Sequence, residues 1–409
     1  RTAQGKRFEE RIADLLRLLG YRVEPEQTVD GVKVDLIATM IKGLDETVYF
    51  VECKDHAGAV GNDVVTTLKA WLATTKARAL GARGMIVAKR FSPTAGEYAK
   101  SLGIRLFTPE DLERALLDFR PYLGRLVSEF AASPLAACYV EQNVKPEKAP
   151  GQALPLLPHA AAWAGGAGSR LWVLLGDYGT GKTAFTRRFA YELAQCALGD
   201  VDAPIPLLIN LKDYPNKASL GDVLHEHWAA RTGERRDPQI FLHLLGRGRI
   251  VLLLDSFDEM GVAQAHRNVV EQFRGLVHPT GAAGDTARAN RILITCRDQY
   301  FRDKSEAEQA ASGRTDSLEK ATRSFDGAID LLPRFTHEQI RHYLNLRLGQ
   351  RKGEVAWKTI DGIYDLKSLA DRPQLLDIIV DSLPDLVAGG GAVSAGALYL
   401  AYTNKWLDD

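Results

Sequence analysis

Net charge is the first thing this chain of 409 residues lacks: 52 Lys and Arg balance 52 Asp and Glu. A zero balance excludes a globally polycationic nucleic-acid binder, so any contact with DNA must come from a local patch. Cysteine is scarce. Cys53, Cys138, Cys196 and Cys296 are scattered, and no two have the spacing of a metal or redox pair. That excludes a disulfide framework and suits a reducing cytoplasm. No apolar run reaches about 18 residues, which excludes a membrane-spanning helix. No signal peptide is expected ahead of the first helix, and a start at Arg1 without an initiator Met points to a trimmed chain. Internal repeats are absent as well. What remains, 45% hydrophobic and 25% charged residues, is the composition of a globular cytoplasmic protein of two to three domains.

Residues 1–119 read as one α/β unit. Phe8, Ile12, Leu15, Leu16 and Leu19 recur at helical spacing, and Gly20 ends that helix. The β-rich runs Val32–Met40 and Thr47–Cys53 flank a turn at Lys42-Gly43-Leu44-Asp45. A helix around Asp63–Leu80, a buried strand Gly84–Ala88, a helix around Thr94–Leu102 and a strand Ile104–Phe107 follow, the alternation of a mixed sheet with flanking helices. Residues 120–165 are expected to be helical and then a linker, because Val144–Pro158 carries Pro146, Pro150, Pro155 and Pro158. A second α/β unit, 166–335, has apolar strands at Leu171–Leu175, Pro206–Leu211, Ile250–Leu254 and Ile292–Thr295. The polar stretches His278–Asn290 and Asp303–Asp326 read as loops, and residues 336–409 as helical.

The strand LWVLL runs into Gly176-Asp177-Tyr178-Gly179-Thr180-Gly181-Lys182-Thr183, followed by a helix. This is the G-x-x-x-x-G-K-[ST] pattern in its strand–loop–helix context. Glycines let backbone N–H groups turn inward around phosphate oxygens, and helix N-terminal amides add to the same field. Lys182 is placed for the β- and γ-phosphates and Thr183 for Mg²⁺. The strand VLLLDSFDE supplies the acids that such a loop needs. Asp255 is expected to hold Mg²⁺, while Asp258 or Glu259 orients the attacking water; spacing does not rank the two. The next strand ends in Thr295 and Arg297, and Arg297 is positioned to sense the γ-phosphate or remain on the surface.

GDYGTGKT, LLLDSFDE, LITCRD and the helical DLKSLADRPQLLDIIV together resemble a NACHT module of the STAND class of P-loop ATPases, over roughly Leu171 to Asp409. Ser256 stands where that family more often has Gly. The resemblance implies ATP as ligand, with ADP in the resting state, and homo-oligomerisation on activation. It places Pro373 near the adenine; alternatively, Pro373 merely starts a helix. It also implies that a winged-helix region begins near Tyr399 and that a sensor for an unknown trigger, of phage origin, lies beyond residue 409.

In the first unit Glu9, Asp35, Glu52 and Lys54 form an ordered set. Alternation puts Glu52 and Lys54 on one strand face, and helix spacing turns Glu9 toward the sheet while Glu10 falls on the polar side. Two or three converging carboxylates make an oxygen-rich site for Mg²⁺, with Asp35 and Glu52 as ligands. Lys54 would then position water or stabilise the phosphorane. Three carboxylates buried near apolar strands are costly without a cation. Their order, with GKRFEERIADLLRLLGYRV, VKVDLIA, YFVECKD and FSPTAGEYAKSLGIRLF, resembles the Mrr-type branch of the PD-(D/E)xK restriction endonucleases, Val34 replacing the leading Pro. His56 reads as a loop residue. Lys33, Arg78, Arg83, Lys89 and Arg90 are either a phosphate-contacting rim or ordinary solvated surface.

The expected fold is therefore α/β: a restriction-endonuclease-like mixed sheet, a P-loop NTPase with a parallel sheet, and a helical domain. The expected function is a nucleotide-switched, metal-dependent endonuclease of anti-phage defence, with DNA as substrate and no membrane partner. Two alternatives remain open, an NTP-driven restriction translocase and a scaffold whose nuclease-like domain only binds DNA.

Overall fold

The computed structural model describes residues 3–55, 58–147, 149, 151–215, 219–259, 291–298, 327–362, 364–388 and 400; His56, Tyr399 and the polar stretches 278–290 and 303–326 lie outside them. The chain divides into two compact units, Arg1–Asp118 and Phe119–Asp409.

The first unit opens on α1 (Ala3–Leu18), which buries Phe8, Ile12, Leu15 and Leu16. Three antiparallel strands follow: β1 (Arg22–Val29), β2 (Val32–Lys42) and β3 (Asp45–Lys54). The chain continues through α2 (Asn62–Leu72) and α3 (Thr75–Ala79) to β4 (Arg83–Ala88), then α4 (Pro93–Ser101), β5 (Arg105–Phe107) and α5 (Pro109–Leu116). The sheet order is β1-β2-β3-β4-β5, with β4 and β5 parallel to β3.

Two expectations change here. The strand β1 was not legible: RVEPEQTV is polar, carries Pro25, and forms a mostly exposed edge where Pro is tolerated. Its turn into β2 is Asp30-Gly31, both at positive φ, which is the chemistry of a two-residue hairpin. The helix expected over Asp63–Leu80 breaks at Ala73-Thr74. Thr74 is extended, and the Lys76 amide donates to the Asp30 carboxylate at 2.7 Å, tying α3 to that hairpin turn.

The second unit begins with α6 (Arg120–Ala132) and α7 (Pro134–Cys138), then β6 (Asn143–Pro146), β7 (Leu154–Pro155) and α8 (Leu156–Ala164). The proline-bearing stretch expected as a linker is thus part of the sheet: β6 pairs antiparallel with both β7 and β12 (Ala328–Leu331). Pro146 ends β6, Pro155 lies in the short edge strand β7 and Pro158 in the first turn of α8, while Pro150 lies outside the described residues. From β8 (Leu171–Leu175) the chain enters α9 (Lys182–Gly199), β9 (Ile205–Asn210), α10 (Leu220–Thr232), α11 (Pro238–Gly246) and β10 (Ile250–Asp255), and β11 (Arg291–Cys296) precedes β12. The sheet order is β7-β6-β12-β8-β11-β10-β9, and the strands from β12 to β9 are parallel. Trp172, Phe185 and Phe189 fill the core beneath β8 and α9. The helices α12 (His337–Leu348), α13 (Gln350–Asp361), α14 (Tyr364–Ala370) and α15 (Pro373–Ala388) bury a second core around Ile340, Leu344, Ile360 and Leu376.

Candidate nuclease and nucleotide sites

In the first unit the β2–β3 ladder reaches Leu36↔Val51, so Asp35 and Glu52 are opposed at the next step. The Cys53 amide donates to Asp35 Oδ2 at 2.9 Å, which fixes that carboxylate against β3. Lys54 pairs with Glu52 Oε1, as strand alternation requires. Glu52 is 4% exposed, and its Oε2 has no hydrogen-bond partner. Burial, then the Asp35 carboxylate, push Glu52 up to about 7 against the pull of Lys54. Two adjoining carboxylates, one with an unsatisfied buried oxygen, fit a divalent cation, which would supply the missing charge and bond.

Glu9 is buried on α1, which packs against β2 and β3, and Glu10 is exposed. Among the described residues no group of three or more His, Cys, Asp or Glu converges on one cation position. The structure brings together Asp35, Glu52 and Lys54; Glu9 does not complete a three-carboxylate cluster with them.

The basic residues also sort. Lys54 is in register with Ala88, so Lys89 and Arg90 follow at the strand end that carries Lys54. Lys89 pairs with Asp55 at 2.5 Å. Arg83 is in register with Tyr49, at the opposite end of β4. Lys33 pairs with Glu26 at 3.7 Å.

In the second unit the loop after β8 has Gly179 and Gly181 at φ +75° and +97°, and Gly181 caps α9 in the left-handed region. A Cβ at Gly181 would also press on the Gln142 side chain at 3.1 Å. The Gln142 amide donates to the Thr180 carbonyl at 2.6 Å. Lys182 Nζ donates to the carbonyls of Gly176 and Asp177 at 2.7 and 3.0 Å, and burial pushes its ammonium down.

The strand β11 lies between β8 and β10, which brings the three strand ends together. Thr183 Oγ1 donates to Asp255 Oδ2 at 2.7 Å, and Thr295 Oγ1 to Asp255 Oδ1 at 2.6 Å. Two oxygens so placed at the end of β10, beside the loop, fit a hydrated Mg²⁺. The Ser256 amide donates to Thr295 Oγ1 at 3.0 Å, and Ser256 takes φ +61°. A left-handed residue explains why Gly is the commoner choice there. Arg297 Nε lies 2.8 Å from Asp258 and its Nη2 3.4 Å from Glu259, while its guanidinium covers the Tyr178 ring. Asp258 is buried and Glu259 half-exposed, which separates the two acids that spacing could not rank.

Sequence reasoning missed the polar contacts that tie the loop to the helices. Asp177 Oδ2 accepts from Arg334 at 2.7 Å and Arg372 at 2.9 Å. Burial alone would push Asp177 up, but Arg372 and then Arg334 hold it at about 2. The Gln374 backbone amide donates to the Gly179 carbonyl at 3.3 Å, and its side-chain amide to the Tyr178 hydroxyl at 3.1 Å. The only available signal was Arg372 beside Pro373, which starts α15 and is partly buried.

Residues 1–116 match the family described as restriction endonuclease, of the Mrr catalytic type, and residues 170–348 match the NACHT domain. An uncharacterized WD repeat-containing protein of Nostoc sp. is 30% identical over 227 residues, 53% of this chain. The chain spans 14% of the length of that relative. Among solved structures, a repair endonuclease from Pyrococcus abyssi is 18% identical, covering 24% of this chain and 46% of that one at a TM-score of 0.21. The ORC2 protein of Aeropyrum pernix is 17% identical, covering 64% of this chain and 73% of that one at a TM-score of 0.40. Over residues 1–116 the chain is thus similar to the Mrr-type restriction endonucleases, and over residues 170–348 to the NACHT domain.

Proposed function

We propose that this protein is a nucleotide-switched DNA endonuclease of antiviral defence. ATP binding drives homo-oligomerisation, clustering of the nuclease domains activates cleavage, and ADP holds the resting state. The observation that carries the cleavage reading is the Asp35–Glu52–Lys54 cluster with its unsatisfied Glu52 Oε2.

Asp35 and Glu52 would hold Mg²⁺, which supplies Lewis-acid polarisation of a scissile phosphate and a more acidic bound water. Asp35, fixed by the Cys53 amide, orients the cation side of the site. Lys54 carries the positive charge that faces Glu52, and would steady the negative charge that develops on the phosphorane. Glu9 is buried on α1 but stands apart from this pair, so its role is to be read from a Glu9→Gln variant in the same assay.

In the NACHT domain Gly176, Gly179 and Gly181 shape the phosphate cradle, Lys182 neutralises phosphate charge, and Thr183 with Asp255 would hold a second Mg²⁺. Asp258, with Glu259 beside it, orients the hydrolytic water, and Arg297 leaves Asp258 for the γ-phosphate. Pro373 packs near the adenine. Moving a switch from 1% to 99% open takes about 5.5 kcal/mol of differential binding, within reach of a γ-phosphate with its cation and a few subunit contacts.

The test is plasmid nicking in Mg²⁺ by Asp35→Ala, Glu52→Gln and Lys54→Ala, with ATP binding measured alongside. Each variant is expected to lose cleavage and keep nucleotide affinity. Cleavage at the parental rate by Glu52→Gln contradicts the reading.

A further inference from the structure

The three acids at the end of β3 and β2, Asp35, Glu52 and Asp55, outnumber Lys54 in their own neighbourhood. A DNA backbone approaching that end meets net negative charge unless cations stand in front of it. Lys89 and Arg90 are placed to do so.

The register Lys54↔Ala88 carries the chain past the site, so Lys89 lies beside Asp55, one step beyond the Glu52–Lys54 pair. Asp55 is 8% exposed at its side chain and Lys89 is 48% exposed, so the acid sits beneath and the ammonium faces solvent. Arg90 follows on the same edge and is exposed. The backbone that carries them is pinned. The Val60 amide donates to the Arg90 carbonyl at 2.9 Å, and the Ser92 amide to the Val60 carbonyl at 3.0 Å. Val60 is buried, and Phe91 packs on the same core. Ser92 then caps α4 by accepting from the Ala95 amide at 3.1 Å. The two bonds bracket Phe91, so the backbone directly after Arg90 is held in place.

The other basic candidates are placed differently. Arg83 stands at the far end of β4, six residues from Lys89, roughly 20 Å along an extended strand. Arg78 lies on α3.

We propose that Lys89 and Arg90 form the phosphate-contacting edge of the nuclease site, taking the backbone of duplex DNA as ligand. The assignment rests on the nuclease reading and names which cations serve it. Asp55 positions Lys89, and a phosphate oxygen takes over part of that ion pair when DNA docks.

Binding of a fluorescein-labelled duplex by the whole 409-residue chain, in EDTA over a salt series, tests this. Each phosphate contact contributes about 0.9 to the slope of log K against log salt. Lys89→Ala and Arg90→Ala are each expected to lower the slope by about 0.9, and Lys89→Arg to restore it. Arg83→Ala is expected to keep the parental slope. In Mg²⁺ the two alanine variants raise KM and retain kcat. Arg90 is exposed, so its variant folds even where loss of the Lys89–Asp55 pair disturbs the loop. Parental slopes in both alanine variants overturn the assignment, leaving an ion pair that only latches a loop. Glu52→Gln separates this outcome from failure of the nuclease reading: a variant that binds with the parental slope and does not cleave upholds that reading whatever Lys89 and Arg90 do.

Discussion

Arg297 Nε lies 2.8 Å from the buried Asp258 carboxylate, so the residue read as a phosphate sensor is held by the acid read as the hydrolytic one. The pair couples two tasks that sequence alone assigned separately. Removing Arg297 leaves Asp258 buried without its cation. Arg297→Ala is expected to retain ATP binding and to lower hydrolysis by roughly 10²-fold, the usual cost of one charge-stabilising donor. Phosphate release beside titration calorimetry checks it; unchanged hydrolysis contradicts it.

Asp177 joins the phosphate loop to Arg334 and Arg372. Asp177→Ala is expected to cost about 1–2 kcal/mol, since the bonds are charge-assisted and partly exposed. Amide exchange at the start of α15 should rise with it. Exchange identical to the parent protein there means that the clamp does not hold the helix to the loop.

Ser256 is a non-glycine residue at φ +61°. Ser256→Gly is expected to be neutral or to stabilise by about 1 kcal/mol, and Ser256→Val to destabilise by about 1–2 kcal/mol, because β-branching aggravates the left-handed strain. Thermal unfolding of the three proteins reads this directly. A valine variant as stable as serine excludes the conformational explanation.

His227 is buried between the hydroxyls of Tyr122 and Tyr214, at 3.3 and 3.2 Å. Burial, and then Arg231, push it down to about 3. A histidine depressed below its unfolded value near 6.5 adds stability that is present above that pH. The contribution is lost as pH falls through the folded value. Chemical unfolding between pH 7 and 3 should therefore show stability falling with acid, and His227→Gln should flatten the profile. A parental slope in the glutamine variant removes His227 from the account.

Much of the architecture was legible where burial and periodicity agree. The run LWVLL before GDYGTGKT, and VLLLD before its two further acids, are fully buried strands with no competing reading. Glu9 and Glu10 were separable by helix spacing alone. Legibility failed where a strand lacks an apolar pattern. β1 is polar and β6 sits among prolines, and each is held by pairing with a neighbour that local sequence cannot reveal. Arg334 and Gln142 carried no signal, because their contacts on the loop span 157 and 38 residues of sequence.

The central claim is that one chain couples nucleotide state to DNA cleavage, and the measurement is the initial rate of plasmid cleavage against protein concentration, in Mg²⁺ and ATP. Parent, Glu52→Gln and Lys182→Ala are compared. Assembly raises effective concentration and strengthens DNA engagement by about 10²–10⁴ without new contacts. The account predicts a more than linear rise for the parent, no cleavage by Glu52→Gln, and a weak, linear rate for Lys182→Ala. A strictly first-order rate that is identical in the parent and Lys182→Ala would contradict it.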